Sequence, residues 1–283
     1  MVLDVILITI TLIALLVASY SDIRTREVPD WLNYGLIFTA FGIRAIFSIN
    51  LGWEIILSGI LGFIVCFGFA LLFYYTGQWG GGDSKLLMGI GAVIGITFPF
   101  NDSSWDLLFF FIALLLFGAI FGLLWMVYIA IKKRKVFSLN FKKSISKKKK
   151  LHISLAVLSL ILIVPTIFYI FLWPLILFPL VFFYLLIFVN SVEKSCFINK
   201  VKIKNLTEGD WLAEDLKIKN KLVLEKKTLE LEDLWKLRKL EGKGKLTEVL
   251  IKEGVPFVPS FLLAYLAIIF VDYFFNLFTL LKF

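Results

Sequence analysis

The sequence predicts an all-α polytopic membrane protein of about eight transmembrane helices, with a small α+β cytoplasmic insert before the last helix. Three observations predict it. The 283 residues are 60% hydrophobic with a mean hydropathy of +0.90, above the roughly 45–50% apolar content of soluble domains. Apolar runs near the ~20 residues that a bilayer-crossing helix needs recur along the chain. Lysine and arginine gather in alternate connections between those runs, as they do in cytoplasmic loops.

In chain order the runs are Val2–Tyr20, Trp31–Ile49, Glu54–Tyr75, Leu86–Phe98, Trp105–Ile131, Leu151–Leu172, Pro174–Asn190 and Pro256–Leu280. The first lacks a basic stretch ahead of it and reads as an uncleaved span, not a cleavable signal. The fourth is short, and its start is expected at the glycines that precede it. The sixth and seventh meet at Trp173-Pro174, as two spans or one re-entrant hairpin; either keeps the parity. The connections 21–30, 76–85, 132–150 and 191–255 carry 2, 1, 10 and 15 of the 30 Lys and Arg, whereas those near Leu51, at 99–104 and at 173 carry none. This asymmetry places the first set in the cytoplasm and both termini outside, in a multi-pass protein of the plasma membrane.

The chain divides accordingly into a five-helix membrane core (1–131), a basic cytoplasmic loop (132–150), two further membrane helices (151–190), the cytoplasmic insert (191–255) and a last membrane helix (256–283). Gly91/Gly95 and Gly118/Gly122, small residues four apart, are expected to let the fourth and fifth helices pack closely. Arg44, two thirds along the second run, is expected to snorkel outward.

"KKRKVFSLNFKKSISKKKK" (132–150) has ten basic residues and no acid. Beside a bilayer such a run meets membrane lipids with anionic headgroups; no nucleic-acid partner is expected. The insert is mixed, with 15 basic and 12 acidic residues. "KVKIKNL" (200–206) alternates like a strand and 207–216 supplies a turn. "LEDLWKLRKLEGKGKLTEVLIKEG" (231–254) predicts two short helices broken at Gly242 and Gly244. Cys66 and Cys196 have no pairing or metal spacing, and the single histidine, His152, sits beside lysines. No metal and no cofactor are expected.

Two acids stand apart. Asp22 follows the first run and Asp83 opens the fourth, and the charge asymmetry sends both to the cytoplasmic face. Taken singly, Asp83 has a plain reading as a helix cap and Asp22 as a solvated loop charge. Taken together they suggest a dyad, because two carboxylates sharing a site cannot both ionise cheaply. One then holds a proton while the other acts as base. Such a pair can activate water against a peptide carbonyl, and the chain offers no other nucleophile kit. Helix dipoles assign the roles: Asp83, at a positive helix N-terminus, is expected to be the base, and Asp22, after a negative C-terminus, to hold the proton.

"SDIRTREVPDWLN" (21–33) after a first span, followed by "GGGDSKLL" (80–87), resembles the type IV prepilin peptidase and preflagellin peptidase family of membrane aspartyl proteases. The G-x-G-D hallmark is matched by Gly80, Gly82 and Asp83. The family's first aspartate, followed by basic residues and an "IPDW"-like segment, is matched by Asp22 with Val28-Pro29-Asp30-Trp31. "GVPFVPSFLLAYL" (254–266) is similar to the proline-containing start of the family's last helix. The resemblance covers roughly 1–131 and 254–283.

The resemblance implies an endopeptidase that removes short basic leaders from type IV pilin-like or archaellin precursors at the cytoplasmic face, with Asp22 and Asp83 as its catalytic dyad. Gly80, Gly82 and Lys85 would form the active-site loop, with Lys85 either orienting a carboxylate or, as favoured here, facing lipid headgroups. The short, cysteine-free loop 21–30 lacks the C-x-x-C pairs of methylating bacterial members. That points to an archaeal-like form without N-methyltransferase activity. The main alternative is a polytopic transporter or channel with a glycine-loop binding site. The spans lack inverted repeats and further buried polar residues. "GGGDSK" is also out of order for a phosphate-cradling P-loop.

Overall fold

A computed structural model describes residues 2–100, 102–218, 221–244 and 246–281; Lys219, Asn220 and Lys245 of the expected insert lie outside the described residues. The first five helices are α1 (Val2–Thr25), α2 (Asp30–Leu51), α3 (Glu54–Tyr75), α4 (Gly81–Ile94) and α5 (Asp106–Lys132). Then come α6 (Arg134–Lys147), α7 (Lys149–Ile161), α8 (Ile163–Phe168) and α9 (Pro174–Ser195). A region with strands β1 (Ile198–Lys202), β2 (Trp211–Leu212), β3 (Leu216–Ile218), β4 (Lys221–Leu224) and β5 (Glu248–Lys252) also holds α10 (Leu231–Gly242), before α11 (Val258–Leu281).

Among the described residues, six helical stretches are long and apolar enough to cross a membrane: α1, α2, α3, α5, Lys149–Phe168 and Ile170–Ser195; Val258–Val271 is a further, shorter apolar stretch. The protein is therefore a polytopic helical membrane protein with a small strand-containing region. The 14 residues of α4 span only about 21 Å at 1.5 Å per residue, short of a hydrocarbon core of about 30 Å.

The chain forms two compact units, one of residues 1–124 with 255–283 and the other of 125–254. In the first, α4 packs against α2 and α3, and α1 packs against α2 and α11. The α3–α4 contact is set by glycine: a Cβ on Gly62 would collide with the Gly91 carbonyl oxygen, and one on Gly91 would lie 2.6 Å from Cys66. The partner of Gly91 is thus α3, not α5 as its spacing suggested, while Gly118 of α5 lies against Phe257. Spacing marks a close-packing face but does not name the neighbour.

Arg44 also departs from expectation. It is 5% exposed, and its guanidinium donates to the carbonyl oxygens of Ala92 (2.9 Å), Val93 and Ile94 (3.2 Å) at the C-terminal end of α4, and to Ile55 (3.0 Å). The last carbonyls of a helix have no intrahelical donor, and Gly95 ends α4 with φ +76°, turning the chain away. A cation at that negative end satisfies the carbonyls inside the protein, which removes any reason to snorkel.

In the second unit the basic stretch expected as a loop is largely helical, as α6 and the start of α7. Both α6 and α7 pack on α9. His152 of α7 bonds the Tyr184 hydroxyl of α9 at 2.9 Å. The strands form a β1-β5-β2 antiparallel sheet and a β3-β4 hairpin. The predicted second short helix of the insert is wrong: Glu248–Lys252 is strand β5, paired with β1 and β2. Its alternation buries Val249 and Ile251 on the face shared with α10, so period two overrides the helical reading across Gly242–Gly244.

Candidate active site

The site is assembled where α1 and α3 end and α2, α4 and α11 begin. α1 runs on through Thr25, so Asp22 lies inside its last turn and not beyond it. Thr25 Oγ1 donates to the Ser21 carbonyl at 2.9 Å, extending the helix past its apolar part. The helix stops at Arg26, whose φ of +63° is the left-handed conformation that a non-glycine residue adopts at a cost. Its N–H donates to the Asp22 carbonyl at 3.0 Å. The turn brings the Arg26 charge to bear on the Asp22 carboxylate, whereas Arg24 stays outside and bonds the Tyr20 hydroxyl.

Asp22 is 6% exposed. Its Oδ2 accepts the backbone N–H of Val258 at 2.9 Å, the first residue of α11. The free N–H groups and positive end of α11 are thus directed at Asp22, which offsets the negative end of α1.

Asp83 occupies the third position of α4, after Gly80 as N-cap. Gly80, Gly82 and Lys85, expected as a loop, are in fact this N-cap and first turns. Gly80 and Gly82 have negative φ, so the reason for glycine at 82 is not a left-handed turn. It is close approach: a Cβ there would lie 3.3 Å from the Val28 Cβ. The helix-cap reading put Asp83 ahead of the helix, but the N-cap is Gly80, with no side-chain cap bond; from the third helical position Asp83 reaches back toward the Gly80 N–H and is under the field of Asp22. Burial first, and then the Asp22 charge, push the Asp83 carboxyl up to about 7, the Gly80 N–H opposing them. Burial raises the Asp22 carboxyl as well, opposed by the Val258 N–H, Arg26 and the Phe257 N–H; those opposing groups favour Asp22 as the ionised member, the reverse of the roles that the dipoles of α1 and α4 suggest. That expectation considered α1 and α4 and had no means of including α11 or Arg26.

The two sequence motifs interlock. Asn33 Nδ2 donates to the Gly82 carbonyl at 3.3 Å, Val28 packs on Gly82, and Lys85 Nζ pairs with Asp30 Oδ1 at 2.6 Å while lying over the Tyr34 ring. Lys85 thus neither touches the dyad nor lacks a partner of its own; it fastens α4 to α2. Trp79, just ahead of the glycines, stacks on Phe73 and meets Phe257 and Phe261, fixing the start of α11 to the same cluster. Asp30, Asn33 and the α11 N-terminus belonged to the quoted motifs without a role. The backbone turn at Arg26 had no sequence signal.

Residues 9–130 match the sequence model of the type IV leader peptidase family. The preflagellin peptidase of Methanococcus voltae is 38% identical over 96 residues, covering 33% of this chain and 41% of that protein. The preflagellin peptidase of Methanocaldococcus jannaschii is 38% identical over 87 residues, 29% of this chain and 35% of the relative. That of Methanococcus maripaludis is 33% identical over 84 residues, 29% and 36%. The chain matches less than half the length of each of these relatives. Residues 9–130, the segment that matches the family model, contain Asp22, Asp83 and the interlocking residues between them.

Proposed function

We propose, from the match of residues 9–130 to the type IV leader peptidase family, that the chain is a membrane aspartyl endopeptidase of that family. Its substrates are pilin-like or archaellin precursors carrying a short basic leader ahead of a hydrophobic helix, in keeping with relatives named preflagellin peptidase. The observation that carries this reading is the pairing of Asp22 with Asp83 where segments 28–33 and 80–85 interlock.

The proposed step uses one proton shared by the pair. Asp22, served by the Val258 N–H and Arg26, is the ionised member and takes a proton from water. Asp83 holds a proton toward the scissile carbonyl oxygen. Hydroxide adds to the carbonyl carbon, giving a tetrahedral diol; Asp22 then returns its proton to the departing amine, and the C–N bond breaks. The diol gives a proton back to Asp83 as the carbonyl re-forms, so the pair ends as it began. Gly80, Gly82 and Lys85 position Asp83 without touching the reacting atoms.

The positive-inside asymmetry supports a dyad facing the cytoplasm with both termini outside. Counting α4 and α11 with the six long stretches gives eight spans. Residues 132–150 would lie against anionic headgroups of the same leaflet. No N-methyl transfer is assigned.

The test is direct. Membranes containing this chain are incubated with a precursor of the leader-plus-helix design, and mass spectrometry reads the product. Loss of the leader at the border of the hydrophobic segment is expected. An intact precursor, under conditions in which a preflagellin peptidase cleaves it, would refute the reading.

A further inference from the structure

Facing positions of two packed helices ordinarily carry apolar side chains, and α6 and α9 break that rule at one end. Asn140, Lys143, Lys147 and Lys148 come from α6 and its C-terminal boundary, and Asn190 and Lys194 from α9. They line a basin of about 310 Å³ floored by Ile187. Ser144 lines it too and accepts a hydrogen bond from Ser191 of α9 at 3.4 Å, joining the two helices at that level.

Four ammonium groups surround one space, two of them a helical turn apart on α6, where like charges repel. Among the described residues none of the four lysines has an acidic partner. The acid of α9, Glu193, is engaged by Lys252 at 2.5 Å. The arrangement is unfavourable empty and complementary to a multiply acceptor-bearing anion.

A second feature identifies the source of that anion. Immediately beyond the basin, α9 turns the same stripe of residues toward α7, and the seam becomes an apolar groove of about 450 Å³. Leu155 and Leu158 line one side, and Phe178, Phe182 and Leu186 the other. Lys148 of the basin and Leu151 of the groove are less than one helical turn apart. A cationic cup joined end to end with an oily channel matches a molecule with a phosphate at the head of a hydrocarbon chain.

We propose that α6, α7 and α9 form a binding site for an anionic phospholipid, its phosphate held among Lys143, Lys147, Lys148 and Lys194 and an acyl chain lying along α9. The site rests on the placement of residues 132–150 at a membrane surface and is independent of the protease reading.

Native mass spectrometry of the detergent-purified full chain tests it, with dioleoylphosphatidylglycerol, dioleoylphosphatidylcholine and glycerol phosphate as probes. The wild type should retain phosphatidylglycerol roughly tenfold or more over phosphatidylcholine, given the attraction each lysine adds near an anionic group. Combining Lys143→Gln, Lys147→Gln, Lys148→Gln and Lys194→Gln should erase that preference. The charge-matched set Lys135→Gln, Lys142→Gln, Lys149→Gln and Lys150→Gln should keep it. Leu158→Trp, which fills the groove and leaves the lysines in place, should also lower retention. Equal loss in both lysine sets would overturn the site in favour of diffuse charge attraction. Equal retention of phosphatidylcholine would overturn the phosphate's part, and displacement by an equal concentration of glycerol phosphate would overturn the lipid's. Unchanged thermal unfolding of the glutamine sets, expected because like charges are being removed, keeps a loss of binding from being a loss of fold.

Discussion

The two ends of α4 each meet a charge, and they treat it in opposite ways. At the C-terminal end Arg44 meets carbonyls: its donors are spread over Ala92, Val93, Ile94 and Ile55, and cation and helix dipole agree in sign. At the N-terminal end Asp83 also agrees with its own dipole, yet a second carboxylate, Asp22, acts on it. A helix that needed only an N-cap would use Asp83 alone. Opposite charges brought together hold a fold; like charges brought together store a protonation difference that chemistry can use. The contrast separates the structural end of α4 from the end read here as catalytic.

Breaking the N-terminal end should give the largest effect. Asp22→Asn or Asp83→Asn should each lower cleavage by roughly 10³-fold or more, as expected when one member of an acid–base pair is lost. Asparagine keeps an oxygen to accept the Val258 N–H, so the thermal midpoint in detergent should stay near wild type. A variant cleaving at the wild-type rate would remove that aspartate from the dyad.

Breaking the other end should reverse the pattern. Arg44→Met strips donors from buried carbonyls, at a cost of about 1–3 kcal/mol for each group left unsatisfied. A lowered thermal midpoint and poor yield are expected, while the cleavage rate per folded molecule stays within about threefold, because Arg44 touches no reacting atom. A stable Arg44→Met protein that fails to cleave would place Arg44 in the chemistry and erase the contrast between the two ends.

How far the sequence could be read follows the same division. That Asp22 and Asp83 come close enough to act on one another was legible because loop charge and two motifs both pointed to a single place. The partners that set their balance were not. Val258 arrives from 236 residues away, and the turn at Arg26 depends on a backbone angle that no residue type there demands. Arg44 was misread for a related reason: a lone cation in an apolar run looks the same whether water or the end of another helix awaits it. Gly91 announced a close contact correctly and its partner wrongly. In the insert, the periodic run at 248–252 needed β1 and β2 beside it before a strand became the better solution.

The pair can be sharpened by pH. With its carboxyl pushed up to about 7, Asp83 keeps its proton below that value and loses it above. A raised carboxyl makes the acid form the one present on the low side, so cleavage should decline as pH rises through about 7, by roughly tenfold per unit once the proton is gone. Rate against pH on a fixed precursor measures this limb, with folding followed in parallel by intrinsic fluorescence. A rate still climbing well above neutrality would mean that Asp83 works as the base, and the helix-dipole assignment would return.

The smallest expected effect is the most local. In Gly82→Ala the new Cβ lies 3.3 Å from the Val28 Cβ, so segments 28–33 and 80–85 must part by a few tenths of an ångström. Alanine is the better helix former at that position, by up to about 1 kcal/mol, so the thermal midpoint should hold or rise. The cleavage rate should nevertheless fall, by roughly three- to tenfold, because displacements well under 1 Å already disturb a positioned acid–base pair. Ser84→Ala, one residue on, gives up only a long 3.4 Å bond to the Ala70 carbonyl and should stay within about twofold of wild type. Val28→Ala trims the side chain that the new methyl meets, so the double variant Gly82→Ala/Val28→Ala should recover most of the lost rate, a coupling that independent sites would not show. Equal, mild effects of Gly82→Ala and Ser84→Ala, with no recovery in the double variant, would mean that the contact between the two motifs is passive and that Asp83 is held in place by α4 alone.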